Sequence, residues 1–115
     1  MKELEYFEEK IKNIIKKNEI NNFYVFAESI LEQEKQYGAN EIIKKYNLDE
    51  DDLFYLKVYT DALKIGDFTK DVFKEFNLEK LSEIEEKSLN DSLQKSIEKY
   101  NNTPQFDRLI DSLNS

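Results

Sequence analysis

A chain of 115 residues with 17 basic and 25 acidic side chains, net charge −8, is long enough for one domain with a core of its own. It contains neither cysteine nor histidine. That excludes disulfides and thiolate metal sites, and it removes the usual general base, the commonest metal ligand and the switch that titrates near neutrality. With Arg108 as the sole arginine, a phosphate clamp built from several guanidiniums is excluded as well.

No apolar run reaches the roughly 20 residues needed to span a bilayer. The opening MKELEYFEEK is too charged for a signal peptide. A soluble, cytoplasmic protein that meets no membrane is the expectation. Lysine, asparagine and isoleucine are plentiful against one arginine, which suggests an AT-rich genome. Two glycines and one proline leave little punctuation for hairpins. The expected fold is therefore all-α: a single-domain helical bundle of six or seven helices spanning residues 1–115.

Leu4, Phe7, Ile11, Ile14 and Ile15 fall three and four apart, which predicts a helix over Lys2 to Lys17 with one apolar stripe. Glutamates crowd its start and Lys16 and Lys17 close it, the order the helix dipole favours. Residues 18–22 read as a loop. A second helix is predicted over Phe23 to Tyr37, with Phe23, Phe26, Ala27, Ile30 and Leu31 inward and Gly38 as its end. Ala39 to Tyr46 forms a short helix with Ile42, Ile43 and Tyr46 inward. Asn47 suits a left-handed stop, and Leu48 its apolar partner.

Asp49 to Ile65 reads DEDDLFYLKVYTDALKI. Four acids favour a helix start through capping and the macrodipole. The apolar and aromatic residues after them occupy nearly every face, which marks a buried helix at the centre of the fold. Gly66 is expected to supply the left-handed turn at its end. Asp67 or Thr69 then caps a short helix carrying Val72, Phe73 and Phe76, and Asn77-Leu78 repeats the earlier Asn-Leu ending. EIIKKYNLD at 41–49 and DVFKEFNLE at 71–79 agree in kind everywhere but at Lys45 against Glu75. Either the same local device is used twice or a helix-turn-helix unit is duplicated.

Glu79 to Tyr100 predicts a long helix with a thin stripe: Leu81, Ile84, Leu89, Leu93, Ile97 and Tyr100. The step of five from Ile84 to Leu89 allows a kink near Asn90 and Asp91. Thr103 and Pro104 begin a last helix as cap and first helical residue. Phe106, Leu109, Ile110 and Leu113 should dock it on the body. The core is expected to hold Leu4, Phe7, Ile11, Phe26, Ile30, Ile43, Leu53, Leu56, Leu63 and Phe73.

The turn at 47–48 between two helices has the proportions of a DNA-reading helix-turn-helix. The residues that would face the phosphates are Asp49, Glu50, Asp51 and Asp52, and carboxylates repel a polyanion. Direct nucleic-acid binding is not expected. The same four acids lack the glycine and closing glutamate of a calcium loop. Glu83, Glu85 and Glu86 lie on a polar helix face with no substrate clamp beside them. No enzyme activity, cofactor or metal is expected.

What the four acids offer is a surface for a basic partner. One or two of them suffice for capping, and the excess has no structural task visible in the sequence. Asp61 lies further along the helix and Glu41 sits across the turn. Tyr55 and Tyr59 lie one and two turns on, either at the core edge or as the apolar anchors that charges lack. The expected partner-binding set is Glu41, Asp49, Glu50, Asp51, Asp52, Tyr55, Tyr59 and Asp61. In size, acidity and lack of catalytic side chains the chain is similar to small proteins that inhibit nucleic-acid enzymes. These include immunity proteins of bacterial toxins and phage anti-defence proteins such as anti-CRISPRs. The likeness implies a non-catalytic inhibitor, monomeric alone, that occludes the basic surface of a toxin or nucleic-acid enzyme. The alternative is a structural or regulatory helical module, dimeric through the thin stripe of the long helix.

Overall fold

The computed structural model describes residues 2–68, 70–76 and 81–114. Among them are seven helices and no strand: α1 Lys2–Asn18, α2 Phe23–Tyr37, α3 Ala39–Lys45, α4 Glu50–Ile65, α5 Lys70–Glu75, α6 Glu83–Glu98 and α7 Pro104–Asn114. The all-α expectation holds. Thr69 and residues 77–80, where a cap, the second Asn-Leu stop and the start of the long helix were expected, lie outside the described residues.

The central helix is built as its sequence requires. Asp49 caps α4 by accepting from the Asp52 amide at 2.7 Å, and Asp52 returns the bond to the Asp49 amide at 3.1 Å. Two amides that the first turn leaves without helical partners are thereby satisfied. Ten residues of α4 are buried, from Asp52 to Leu63. Glu50, Asp51, Lys57, Asp61, Lys64 and Ile65 are the rest. α1 lays Leu4, Phe7, Ile11 and Ile14 against this core, all buried as the stripe predicted. Thr103 caps α7 through the Phe106 amide, and Leu109 and Leu113 dock it.

Three expected core members are only half-buried: Phe26, Ile43 and Phe73. On α3 it is Ile42 that is fully inside, so its neighbour Ile43 points a quarter-turn away, toward a surface hollow. Phe26 and Phe73 pack their rings edge-on against Tyr46 and Tyr24 at the margin of the core.

α4 packs most extensively on α6. The seam's face on α6 is formed by Leu89, Ser92, Leu93, Ser96 and Ile97, and Gly66, just past the end of α4, lies close to Ser92. Ser96 Oγ donates to the Val58 carbonyl at 2.7 Å inside the seam. α6 runs as one continuous helix through Asn90 and starts at a capping box of Ser82 and Glu85. Ile84 takes no part in the stripe, being 83% exposed. The dimer seam expected on this helix is therefore occupied within the chain, by α4.

Gly66 is not left-handed; its φ is −82°. A Cβ there would overlap the Phe68 ring and reach within 3.0 Å of Ser92 Oγ. Glycine is needed for close approach, and Asp67 takes the left-handed conformation instead, with φ 50°. Glu19 and Asn47 end α1 and α3 in the same way, each with φ 52°. After each, an apolar residue turns its amide back onto the helix: Ile20 to Ile15, Leu48 to Ile43 and Phe68 to Leu63, at 3.2 to 3.3 Å. This is the six-residue back-bond of a helix stop with its apolar contact. α5 differs: its left-handed residue is Phe76, whereas the matching Tyr46 of the sequence repeat has φ −112°. The two similar segments end their helices at the matching residues Lys45 and Glu75, but leave them with different backbone conformations.

Candidate functional site

The acids at the start of α4 have structural work. Asp49 and Asp52 form the capping box. Asp52 is buried and also takes the Lys17 ammonium at 2.7 Å, tying α1 to α4. Asp51 accepts from Arg108 Nη2 at 2.6 Å and from its Nε at 3.1 Å, tying α7 to α4. Arg108 is held protonated even more firmly than usual, chiefly by that hydrogen bond. Of the four, Glu50 alone takes no such role: it is exposed and has no ion-pair partner among the described residues. Glu41 is exposed on α3.

Tyr59 is corrected outright as a surface anchor. Its side chain is 0% exposed, between Phe23 and Phe76, and burial pushes its hydroxyl well above the usual range. Tyr55 is buried too. Its hydroxyl meets that of Tyr6 at 3.0 Å, and its ring packs edge-on against Phe7 at 5.5 Å. Burial, then the Tyr6 bond, raise its hydroxyl far above the ordinary value. Both tyrosines are core in this fold, Tyr55 at its edge.

A different feature brings Glu50 and Asp61 together. Glu50, Lys57, Asp61 and Lys64 recur at helical spacing as the polar stripe of α4. Two hollows run along it. One, of about 170 Å³, is bounded by Glu34, Glu50, Ile43, Phe54 and Tyr100. The other, of about 340 Å³, is bounded by Glu28, Glu32, Lys35, Asp61 and Lys64. They share Glu34, Lys57 and Tyr100, so together they form one groove between α2 and the corner where α6 turns into α7.

Its charges are partly spent. Lys57 pairs with Glu34 at 2.8 Å and Lys64 with Glu28 at 2.6 Å. Tyr100 donates to Asp61 at 3.0 Å; burial first, then the Asp61 charge and this bond, push its hydroxyl up to about 12. Glu50 in the first hollow, and Glu32 and Lys35 in the second, remain exposed and without ion-pair partners among the described residues. Sequence reasoning missed Glu28, Glu32 and Glu34. Each reads as one more charge on the polar face of an amphipathic helix, and only the turn of α2 over α4 gathers them.

Among the described residues no group of carboxylates is arranged to hold a metal ion. None of the helices described is long and apolar enough to cross a membrane. No family model, curated protein or solved structure matches the chain.

Proposed function

We propose that this protein is a non-catalytic inhibitor that lays an acidic groove over the basic, nucleic-acid-contacting surface of another protein. Toxin immunity proteins and phage anti-defence proteins of the anti-CRISPR kind act in that general way. One observation carries the reading: the polar stripe of the otherwise buried α4 runs along a groove whose lining holds the carboxylates of Glu28, Glu32, Glu34, Glu50 and Asp61 against the ammonium groups of Lys35, Lys57 and Lys64. The net charge of −8 and the lack of histidine and cysteine agree with it. Carboxylates there would take the places of phosphates, and a complementary field would speed the encounter and fix its orientation. The binding set is accordingly redrawn as Glu32, Glu50 and Asp61, with Glu41 on the adjoining helix. Asp49, Asp51 and Asp52 act as struts behind it.

The test is affinity capture at low salt with the immobilised wild-type chain and with Glu32→Lys/Glu50→Lys. Neither glutamate is tied to another helix by an ion pair among the described residues, so the double reversal should leave the fold intact. Proteins retained by wild type, lost at high salt and lost from the variant are the expected result. Equal retention by both chains would refute the groove as the contact.

A second reading is self-association, through an apolar groove beside Leu63 and Lys64 at the C-terminal end of α4. Tyr24 and Val25 are exposed there, beside a groove of about 610 Å³ walled by Phe68 and Phe73. Light scattering separates the two: a concentration-dependent dimer, weakened by Val25→Lys, would favour the second.

A further inference from the structure

The narrower hollow of the groove has a lining of two kinds. Its floor is apolar: Ile43, Leu53 and Phe54, with Tyr100 as a wall. Glu34 and Glu50 stand at its sides. Its volume, about 170 Å³, holds one long side chain. A bare ammonium, compact and strongly hydrated, gains nothing from an apolar floor. A methylene stem with a charge at its end does, because it covers the floor while the charge stays at the rim.

Lys57 already places an ammonium at this rim, 2.8 Å from Glu34. A carboxylate has about four lone-pair sites, so Glu34 keeps acceptor capacity, and Glu50 keeps all of its own. The Tyr100 ring is fixed by its bond to Asp61 and by edge-on packing against Phe54 at 5.7 Å. A rigid ring beside two carboxylates suits a guanidinium better than an ammonium. The guanidinium is planar, less hydrated, stacks on aromatic faces and forks across carboxylate oxygens.

We infer, resting on the reading that this groove meets a basic partner, that the hollow is the receptor for a single arginine side chain of that partner. The arginine stem lies over Ile43, Leu53 and Phe54, and its guanidinium sits between Glu34 and Glu50. The experiment titrates the full ¹⁵N-labelled chain at low salt with a hexa-arginine amide and, separately, a hexa-lysine amide. The arginine peptide should bind at least about fivefold tighter and shift the amides of Ile43, Leu53 and Thr103. Ala39→Trp, which fills the mouth of the hollow, and Glu50→Gln should each weaken it by about fivefold or more. The α6 variant Glu83→Gln/Glu86→Gln should change it less than about twofold. Should Ala39→Trp fail to fold, Gln105→Trp blocks the same mouth from α7. Equal binding of the two peptides in the groove, or indifference to a folded blocking variant, overturns the arginine receptor but spares the acidic groove. Absence of binding by either peptide, or loss chiefly in the α6 variant, removes both.

Discussion

At Gly66 the chain needs the absence of a side chain, for a reason that its place at a helix end does not reveal. A glycine after a long apolar run reads as a left-handed stop, yet Asp67 performs that task and Gly66 admits the Phe68 ring. Gly66→Ala should therefore destabilise by about 1–3 kcal/mol through overpacking, although alanine suits the backbone angles; urea unfolding measures it. Glu8 makes a second residue-scale case. Burial raises its carboxyl above the ordinary value; Lys12 opposes the shift, and Glu86 and Glu5 add to it. A carboxyl raised in the folded state helps stability only while protonated, and that help is lost as pH rises through the folded value. At neutral pH the ionised Glu8 is thus a burden. Glu8→Gln should raise the melting temperature at pH 7, and the gain should fade as pH falls to about 4. A gain unchanged by pH would assign the effect to packing instead.

At the scale of elements, the 3.6-residue period made most helices legible: the stripes of α1 and α7, the burial of α4, and the Asn47-Leu48 stop all stand as read. The α4–α6 seam was legible in Leu89, Leu93 and Ile97 but not in Ser92 and Ser96, which count as polar in any hydropathy pattern. They are apolar in effect here, being small enough for close approach, with Ser96 satisfied by the Val58 carbonyl. Ser92→Leu is expected to cost about 1–3 kcal/mol by forcing the two helices apart. Leu56→Ala, at a fully buried site of the central helix, should cost about 2–5 kcal/mol. Thermal or urea denaturation checks both, and a loss below about 0.5 kcal/mol at Leu56 would contradict its central place.

For the whole molecule, charge was legible in amount and misread in place. The four acids of Asp49–Asp52 look superfluous in the sequence because their partners are far away along it: Lys17 lies 35 residues from Asp52, and Arg108 lies 57 from Asp51. Folding spends Asp49, Asp51 and Asp52 on struts and leaves Glu50 in the groove over α4, with Glu32, which nothing in the sequence singles out. Reversing Asp51 would therefore confuse binding with the docking of α7, whereas Glu32 and Glu50 make no ion pair to another helix among the described residues. With a captured partner, Glu32→Lys/Glu50→Lys should slow association more than tenfold at low salt, an order of magnitude typical of electrostatic steering. The decisive measurement is competition: the wild-type complex titrated with the nucleic acid that the partner binds. Mutually exclusive binding, with the chain released as nucleic acid is added, is the expected result. A stable ternary complex, in which the partner holds chain and nucleic acid together, would contradict inhibition by occlusion.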